Sequence, residues 1–453
     1  MVDQIKSDLT IGKISTHFRT LAVPMAIGMV FYTLYNMVGI FFAGKLSTSA
    51  QAAIGIGHLV FFFLIAFGFG LNAAMAGLVG NALGRGEIQR AEEIVDHGLI
   101  FSISISILLM IVGFTFGPLI INLISEPGPY RYFSVRYFLF LLISLPAFLI
   151  SYTCNGALQA QGDSLSMQKA LTMAFFLSVV LNPFLIFGVP GIWNGFRFDG
   201  IIIATILSQF SVVIYMIFKI MYSEIGLRVS FKSKVFYRSI YIKIFNQMLP
   251  QCLSFQMVII GSLVIQFALK GFGEHALAGY NIALRIEQLL LLPILGMTHA
   301  LLPIVAQNFG AQKFDRVRQS LFYCWKFGVI TMILAYPIIW TFGSLLVALF
   351  SSNLDVIDVG VGYLRIDGLI LPFYAMLFAV NSFLQGVTRP ASIFWIGLFR
   401  QGLLTGLFIW FFIIVLDFDI WGVWLGAGTS VVFGWMLSIF IAYRVARREI
   451  GGL

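Results

Sequence analysis

The sequence predicts an all-α membrane protein: twelve transmembrane helices in two pseudo-symmetric six-helix bundles. Three observations predict it. Hydrophobic residues make up 60% of the 453 and charged residues 10%, with a mean hydropathy of +0.96; soluble domains carry about 25% charge. Long apolar runs recur along the chain, and about 20 such residues cross roughly 30 Å of hydrocarbon. The chain also repeats itself at an offset of 226 residues. That offset links Pro24 to Pro250, Gly84 to Gly310, Arg90 to Arg316, Asn155 to Asn381, Leu158 to Leu384 and Gln159 to Gln385. Tandem membrane halves of equal length are a pattern of transporters that bind cargo between the halves and rock them.

The expected spans are 18–43, 52–83, 94–118, 131–160, 168–188, 200–221, 246–270, 278–307, 320–350, 361–387, 393–415 and 422–446. Lipid offers no partner to a free backbone group, so spans are helices or a closed barrel. The apolar runs are continuous rather than alternating, which selects helices. The expected organisation is an N-terminal bundle at 1–221, a cytoplasmic linker at 222–245 and a C-terminal bundle at 246–453. The first 17 residues are polar and lack the apolar core of a signal peptide. They read as a short cytoplasmic arm, compatible with an interfacial amphipathic helix.

Lys and Arg orient the chain. With both termini cytoplasmic, inner loops and tails hold about 20 of the 28 basic residues, the positive-inside pattern. Arg228, Lys232, Lys234, Arg238 and Lys243 crowd the linker, and Arg444, Arg447 and Arg448 close the chain. Topology and anionic-lipid contact account for the net charge of +9 without nucleic acid. The expected setting is a bacterial inner membrane, with the protein a monomer among membrane lipids.

Several chemistries are not expected. Cys154, Cys252 and Cys324 are scattered, without a C-x-x-C pair, so neither a metal nor a disulfide framework is indicated. The stretch from Gly39 to Leu46 approaches a phosphate-binding P-loop but lacks its final Ser/Thr and sits at the end of a span. No H-E-x-x-H or G-x-S-x-G occurs, so no catalytic residue is assigned. No cofactor is expected beyond a coupling ion, H+ or Na+.

Ionisable groups deep in a bilayer are costly and mark ion or cargo paths by default. The candidates are Arg285 and Glu287 in span 8, Asp367 in span 10 and Arg400 in span 11. Glu287 lies roughly 13 Å below the outer face, Asp367 roughly 10 Å below it, and Arg400 roughly 10 Å from the inner one. One reading is a titratable carboxylate whose proton is governed by a nearby cation and by desolvation. The other is a static charge pair that staples helices. Tyr35, Asn36, Asn155, Asn182, Gln256, Asn281 and Asn381 are candidates to line a substrate cavity. They are equally candidates for interhelical glue, at about 0.6 kcal/mol each. Phe31, Tyr32, Tyr35 and Phe255 would offer aromatic faces to organic cations.

A family resemblance rests on specific stretches. Leu21-Ala-Val-Pro24-Met runs on to Tyr35-Asn36-Met37-Val38-Gly39 and Ala43-Gly44; Val79–Gly84 is followed by Arg85-Gly86 and Arg90-Ala91-Glu92. Asn155–Asp163, Leu181–Gly188, Gln307–Ala311 and Asp315-Arg316 complete the pattern. The chain resembles the multidrug and toxic compound extrusion (MATE) family over nearly its whole length. The resemblance implies a MATE-like fold with a central cavity, and efflux of amphiphilic, cationic organic compounds in exchange for H+ or Na+. Where that family often has acids, this sequence has neutral Gly39, Asn182 and Gln256, so coupling is expected from the second half. Glu287, in Leu284-Arg285-Ile286-Glu287, matches an acidic pattern of some branches. A related reading is a flippase for a lipid-linked precursor, with Arg285 and Arg400 holding a diphosphate.

Overall fold

The computed structural model describes residues 8–189, 191–223, 225 and 237–453. Among them run twelve helices long and apolar enough to cross a membrane. They are α1 (Ile14–Leu46), α2 (Thr48–Gly84), α3 (Ile88–Ile124), α4 (Pro129–Ala160), α5 (Leu165–Phe187) and α6 (Phe198–Met221). The second set is α7 (Arg238–Phe272), α8 (Glu274–Gly310), α9 (Phe314–Ala348), α10 (Leu354–Gly386), α11 (Ala391–Val415) and α12 (Asp419–Glu449). The linker expected at 222–245 falls largely at 224 and 226–236, outside the described residues; from Arg238 it is already α7.

Most helices outrun their apolar stretches, because helix propagation needs backbone bonds rather than apolar side chains. α3 starts six residues early on a polar turn that includes an Arg90–Glu93 pair at 2.6 Å. Side chains close several starts. Ser47 accepts from the Ala50 amide, Asn353 from those of Asp355 and Val356, and Asp163 from those of Leu165 and Ser166. Of the expected arm, residues 1–7 lie outside the described residues; residues 8–13 form turns and bends, and α1 begins at Ile14.

Two compact units emerge. One holds Ile27–Leu249; the other holds Leu9–Ala26 with Pro250–Leu453. The division therefore departs from chain order at α1 and α7, two residues after Pro24 and at Pro250. A proline inside a helix removes one amide donor and bends the axis, so the two parts of such a helix can pack with different neighbours.

The packing within each unit repeats. In the first, α2 lies on α3 and α4, α3 on α4, α4 on α6 and α5 on α6. In the second, α8 lies on α9 and α10, α9 on α10, α10 on α12 and α11 on α12. The turns repeat bond for bond at the sequence offset. The amides of Arg85, Gly86 and Glu87 reach the carbonyls of Asn81, Leu83 and Ala82; those of Ala311, Gln312 and Lys313 reach Gln307, Phe309 and Asn308. Gly86 and Gln312 are both left-handed (φ 75° and 58°), as are Gly162 and Thr388 (83° and 56°). Glycine adopts this conformation freely; at Gln312 and Thr388 the repeated turn imposes it on larger residues.

Segment 8–13 is tied down on the second unit. The buried Leu9 donates its amide to Gln307 (2.9 Å), and its carbonyl accepts from Asn308 (3.0 Å). Arg316 donates to the Gly12 carbonyl and Lys313 to the Thr10 carbonyl, each at 2.9 Å.

Candidate functional site

Three of the described Asp, Glu, Lys and Arg side chains are buried: Glu287, Asp367 and Arg400. All three belong to the second unit, on α8, α10 and α11. Asp367 follows Tyr363 by four residues, so both occupy one face of α10. The Tyr363 hydroxyl donates to Glu287 Oε2 at 2.7 Å. An aromatic wall holds Tyr363 in place: its ring is T-shaped to Tyr280 and to Trp424, each at 5.2 Å. The Tyr280 and Trp424 rings stack at 5.9 Å. Glu287 is in electrostatic reach of both Asp367 and Arg400. Among the described residues neither carboxylate makes a direct ion pair; the four salt bridges are Arg90–Glu93, Arg136–Asp199, Arg318–Asp315 and Arg389–Glu449.

Arg400 is placed by its backbone. It lies in a π-helical turn, Leu398–Leu404, and a second π turn, Phe411–Val415, ends the span. Such turns insert one residue into a helix and often mark functional sites. With them α11 has 25 residues, against 23 in its counterpart α5. The Thr405 hydroxyl donates to the Arg400 carbonyl at 3.0 Å and lies 3.0 Å from the Ser430 hydroxyl of α12. The arginine stem fills a notch at Gly434, where a Cβ would stand 2.6 Å from Arg400 Cδ. The guanidinium lies 5.4 Å from the Tyr374 ring centroid, and its Nε is buried without a hydrogen-bond partner.

The internal repeat supplies a control. At the 226-residue offset, Glu287 corresponds to Phe61, Asp367 to Leu141, Tyr374 to Phe148 and Arg400 to Ala174. Phe61, Leu141 and Ala174 are each at most 1% exposed, and Phe61 packs on Phe148 at 5.6 Å between centroids. Tyr363 corresponds to a buried tyrosine, Tyr137. The first unit therefore builds the same helix packing with apolar residues where the second holds charge. Buried charges are often replaceable by apolar residues without loss of stability. Packing gives no reason for these three.

The other expected residues are placed as follows. Arg285 is exposed on α8, whereas Arg400 is buried. Tyr35 is buried and donates to the Thr205 carbonyl at 3.4 Å. Asn36, Asn182 and Asn281 each donate at 2.8 Å to the carbonyl four residues earlier in their own helix, those of Tyr32, Ser178 and Leu277. Asn155 donates to Asn72 at 2.8 Å and so joins α4 to α2. Gln256 is half-buried, and Asn381 keeps a buried oxygen without a partner. The sequence reading missed Tyr363, Tyr280, Tyr374, Trp424 and Gly434. Of these, Tyr363 carried a legible signal: it precedes Asp367 by one helical turn.

Comparison with known proteins gives a consistent result. The MatE family model matches residues 24–184 and again 250–411, once per repeat. A "FAD transporter" of Shewanella oneidensis is 24% identical over 397 residues, 85% of each chain. The "Multidrug export protein MepA" of Staphylococcus aureus is 23% identical over 84% of this chain and 83% of its own. The "Probable multidrug resistance protein YpnP" of Bacillus subtilis is 24% identical over 97% of both. Among solved structures, an outward-facing multidrug resistance MATE family transporter superposes with a TM-score of 0.88 at 22% identity, covering 99% of this chain and 98% of that one. A transporter of the MOP superfamily from Pyrococcus furiosus reaches 0.90 at 21% identity, covering 99% of each.

Proposed function

The chain belongs to the MatE family, and on that premise we propose that it is an antiporter driven by a proton or sodium gradient. It exports amphiphilic, cationic organic compounds by alternating access, without covalent chemistry. It works as a monomer in a bacterial inner membrane, with both termini cytoplasmic, a reading that the distribution of Lys and Arg supports.

The observation that carries this reading is the confinement of buried charge to one repeat. With all three groups ionised, Glu287, Asp367 and Arg400 sum to one net negative charge. A charge left uncompensated in hydrocarbon costs several kcal/mol. One proton or one monovalent cation cancels it. Tyr363 occupies Glu287 Oε2, which leaves Oε1 for the ion. Uptake on one side of the membrane and release on the other would bias the two transport states, which is the requirement for coupling. The neutral Gly39 and Asn182 shift that duty to the second unit, and within it the neutral Gln256 leaves it to Glu287 and Asp367. The cargo class follows the multidrug relatives; the flavin-transporting relative makes FAD a second cargo to assay.

The test is efflux of ethidium, and separately of FAD, from proteoliposomes under imposed proton and sodium gradients. Ethidium efflux driven by one gradient and not by a potassium diffusion potential alone is the expected result. Downhill leakage indifferent to both gradients would overturn it.

A further inference from the structure

The connection between α5 and α6 differs from its counterpart in the second unit. Ten residues, 188–197, join α5 to α6, whereas three, Leu416–Phe418, join α11 to α12. Both connections end on the same bond, from the residue just before the next helix back into the preceding one: Arg197 N–H reaches the Ile186 carbonyl (3.0 Å), and Phe418 N–H reaches that of Phe412 (2.9 Å). A positive-φ residue stands within two positions before each donor, Gly195 (φ 66°) and Asp417 (φ 52°). The longer excursion is thus an addition that the fold does without in its other copy.

This added loop is built. Val189 and Trp193 form an antiparallel bridge, and the Trp193 ring packs on Phe184 and Phe196 at 5.5 and 4.9 Å. Arg197 bonds its amide to the Ile186 carbonyl at 3.0 Å and sits at φ 50°. With ψ at −123°, this is a conformation that glycine takes at less strain than arginine. The arginine side chain is exposed, and among the described residues it makes no hydrogen bond, ion pair or ring contact. The nearby Asp199 does not take it up, since Asp199 is held by Arg136 at 2.6 Å.

Beside Arg197 opens a cavity of about 430 Å³, within the first unit, at the end of the bundle where α1 turns into α2. That volume falls in the range of about 300–1,000 Å³ typical of small-molecule sites. Phe133, Ile186, Phe187 and Phe198 form its apolar wall; Asn194 and Arg197 are its polar rim. An exposed cation without a partner among the described residues, at the mouth of an aromatic-lined cavity, matches an anionic head followed by an apolar tail. The same end carries Arg131 on the first turn of α4, which adds to the positive field; Arg136 is offset by Asp199.

We propose that this cavity is a binding site for an anionic phospholipid, its phosphate on Arg197 and the start of an acyl chain against Phe133, Phe187 and Phe198. With cytoplasmic termini, the site opens to the outer leaflet. General snorkelling of an interfacial arginine toward headgroups would instead give a graded electrostatic preference for anionic lipid and no saturable site.

Trp193 adjoins the cavity residue Asn194 and reports on it. Full-length protein is reconstituted in phosphatidylethanolamine nanodiscs containing increasing brominated phosphatidylglycerol or, in parallel, brominated phosphatidylethanolamine. The Trp193 share of fluorescence is isolated by difference from Trp193→Phe. The expected result is saturable quenching by the glycerol lipid at about one-tenth the mole fraction that the ethanolamine lipid needs. Arg197→Lys keeps that preference. Arg197→Gly removes it while raising, not lowering, the midpoint of thermal unfolding, because the strained φ is relieved; misfolding is thereby separated from loss of the site. Equal quenching by the two lipids, an unchanged preference in Arg197→Gly, or full reversal by free inorganic phosphate would overturn the proposal.

Discussion

Tyr363 donates its hydroxyl to Glu287 across 2.7 Å, bringing α10 and α8 together at a buried carboxylate. In the first unit the matching tyrosine, Tyr137, is retained, yet the carboxylate position is Phe61. The tyrosine is therefore part of the packing common to both repeats, and the hydrogen bond to an acid belongs to one of them. A hydrogen bond to a charged group contributes about 1.5–3 kcal/mol. Tyr363→Phe is expected to change the ion concentration for half-maximal efflux by roughly tenfold or more. Tyr137→Phe, an equal loss of one hydroxyl, is expected to leave that concentration within about twofold of wild type. Ion titrations of dye efflux in proteoliposomes check both.

The charge balance of the cluster gives a second expectation. Arg400→Ala leaves two buried carboxylates without their built-in cation, and efflux should fall at least about tenfold. Adding Asp367→Asn returns the cluster to one net negative charge. The double variant should therefore transport faster than Arg400→Ala alone. The double-mutant cycle of initial efflux rates measures this coupling directly.

Gly434 should be intolerant of a methyl group. A Cβ there would stand 2.6 Å from Cδ and 2.7 Å from Cγ of Arg400, the constrained part of that side chain. Gly434→Ala is expected to cost about 1–3 kcal/mol through overpacking and to lower efflux by displacing Arg400. Gly402→Ala on α11, the span of Arg400 itself, meets the flexible end of Leu398 at 3.1 Å and should be milder on both counts. Thermal unfolding followed by tryptophan emission, paired with efflux rates, separates the two variants.

The arm at residues 8–13 should matter for stability. Arg316 donates to Asn308 and Gly12 at 2.9 Å each and to Leu9 at 3.3 Å. Net contributions near 1 kcal/mol per bond put the cost of Arg316→Ala at about 1–3 kcal/mol. Leu9→Asp, which places a carboxylate at a fully buried position, should cost more. The midpoint of thermal unfolding is the readout for both.

Much of this organisation was legible because two periodicities leave direct marks on a sequence. Hydrocarbon thickness sets the length of the apolar runs, which located the spans, and duplication set the offset between Pro24 and Pro250, which paired them. Glu287, Asp367 and Arg400 stood out because charge is rare in spans. The extended helix ends were less legible, since a polar turn such as that at Glu92 and Glu93 reads equally as loop or helix. The π turn at Arg400 follows from backbone register, which composition does not record. Amides were ambiguous for a physical reason: Asn36, Asn182 and Asn281 donate to the preceding turn of their own helices, which no apolar pattern reveals. Trp424 and Tyr280 read as generic apolar residues until packing set them around Tyr363.

The most direct measurement is ethidium efflux from proteoliposomes holding wild-type protein or Glu287→Gln, under a proton gradient and then a sodium gradient. The amide preserves the shape of the side chain and removes its charge, so the variant should purify and unfold like wild type. The expected result is a loss of gradient-driven efflux by at least about a hundredfold, about 3 kcal/mol in coupling, while dye binding to the detergent-solubilised protein persists. Efflux at the wild-type rate in Glu287→Gln, under the same gradient that drives the wild type, would contradict it.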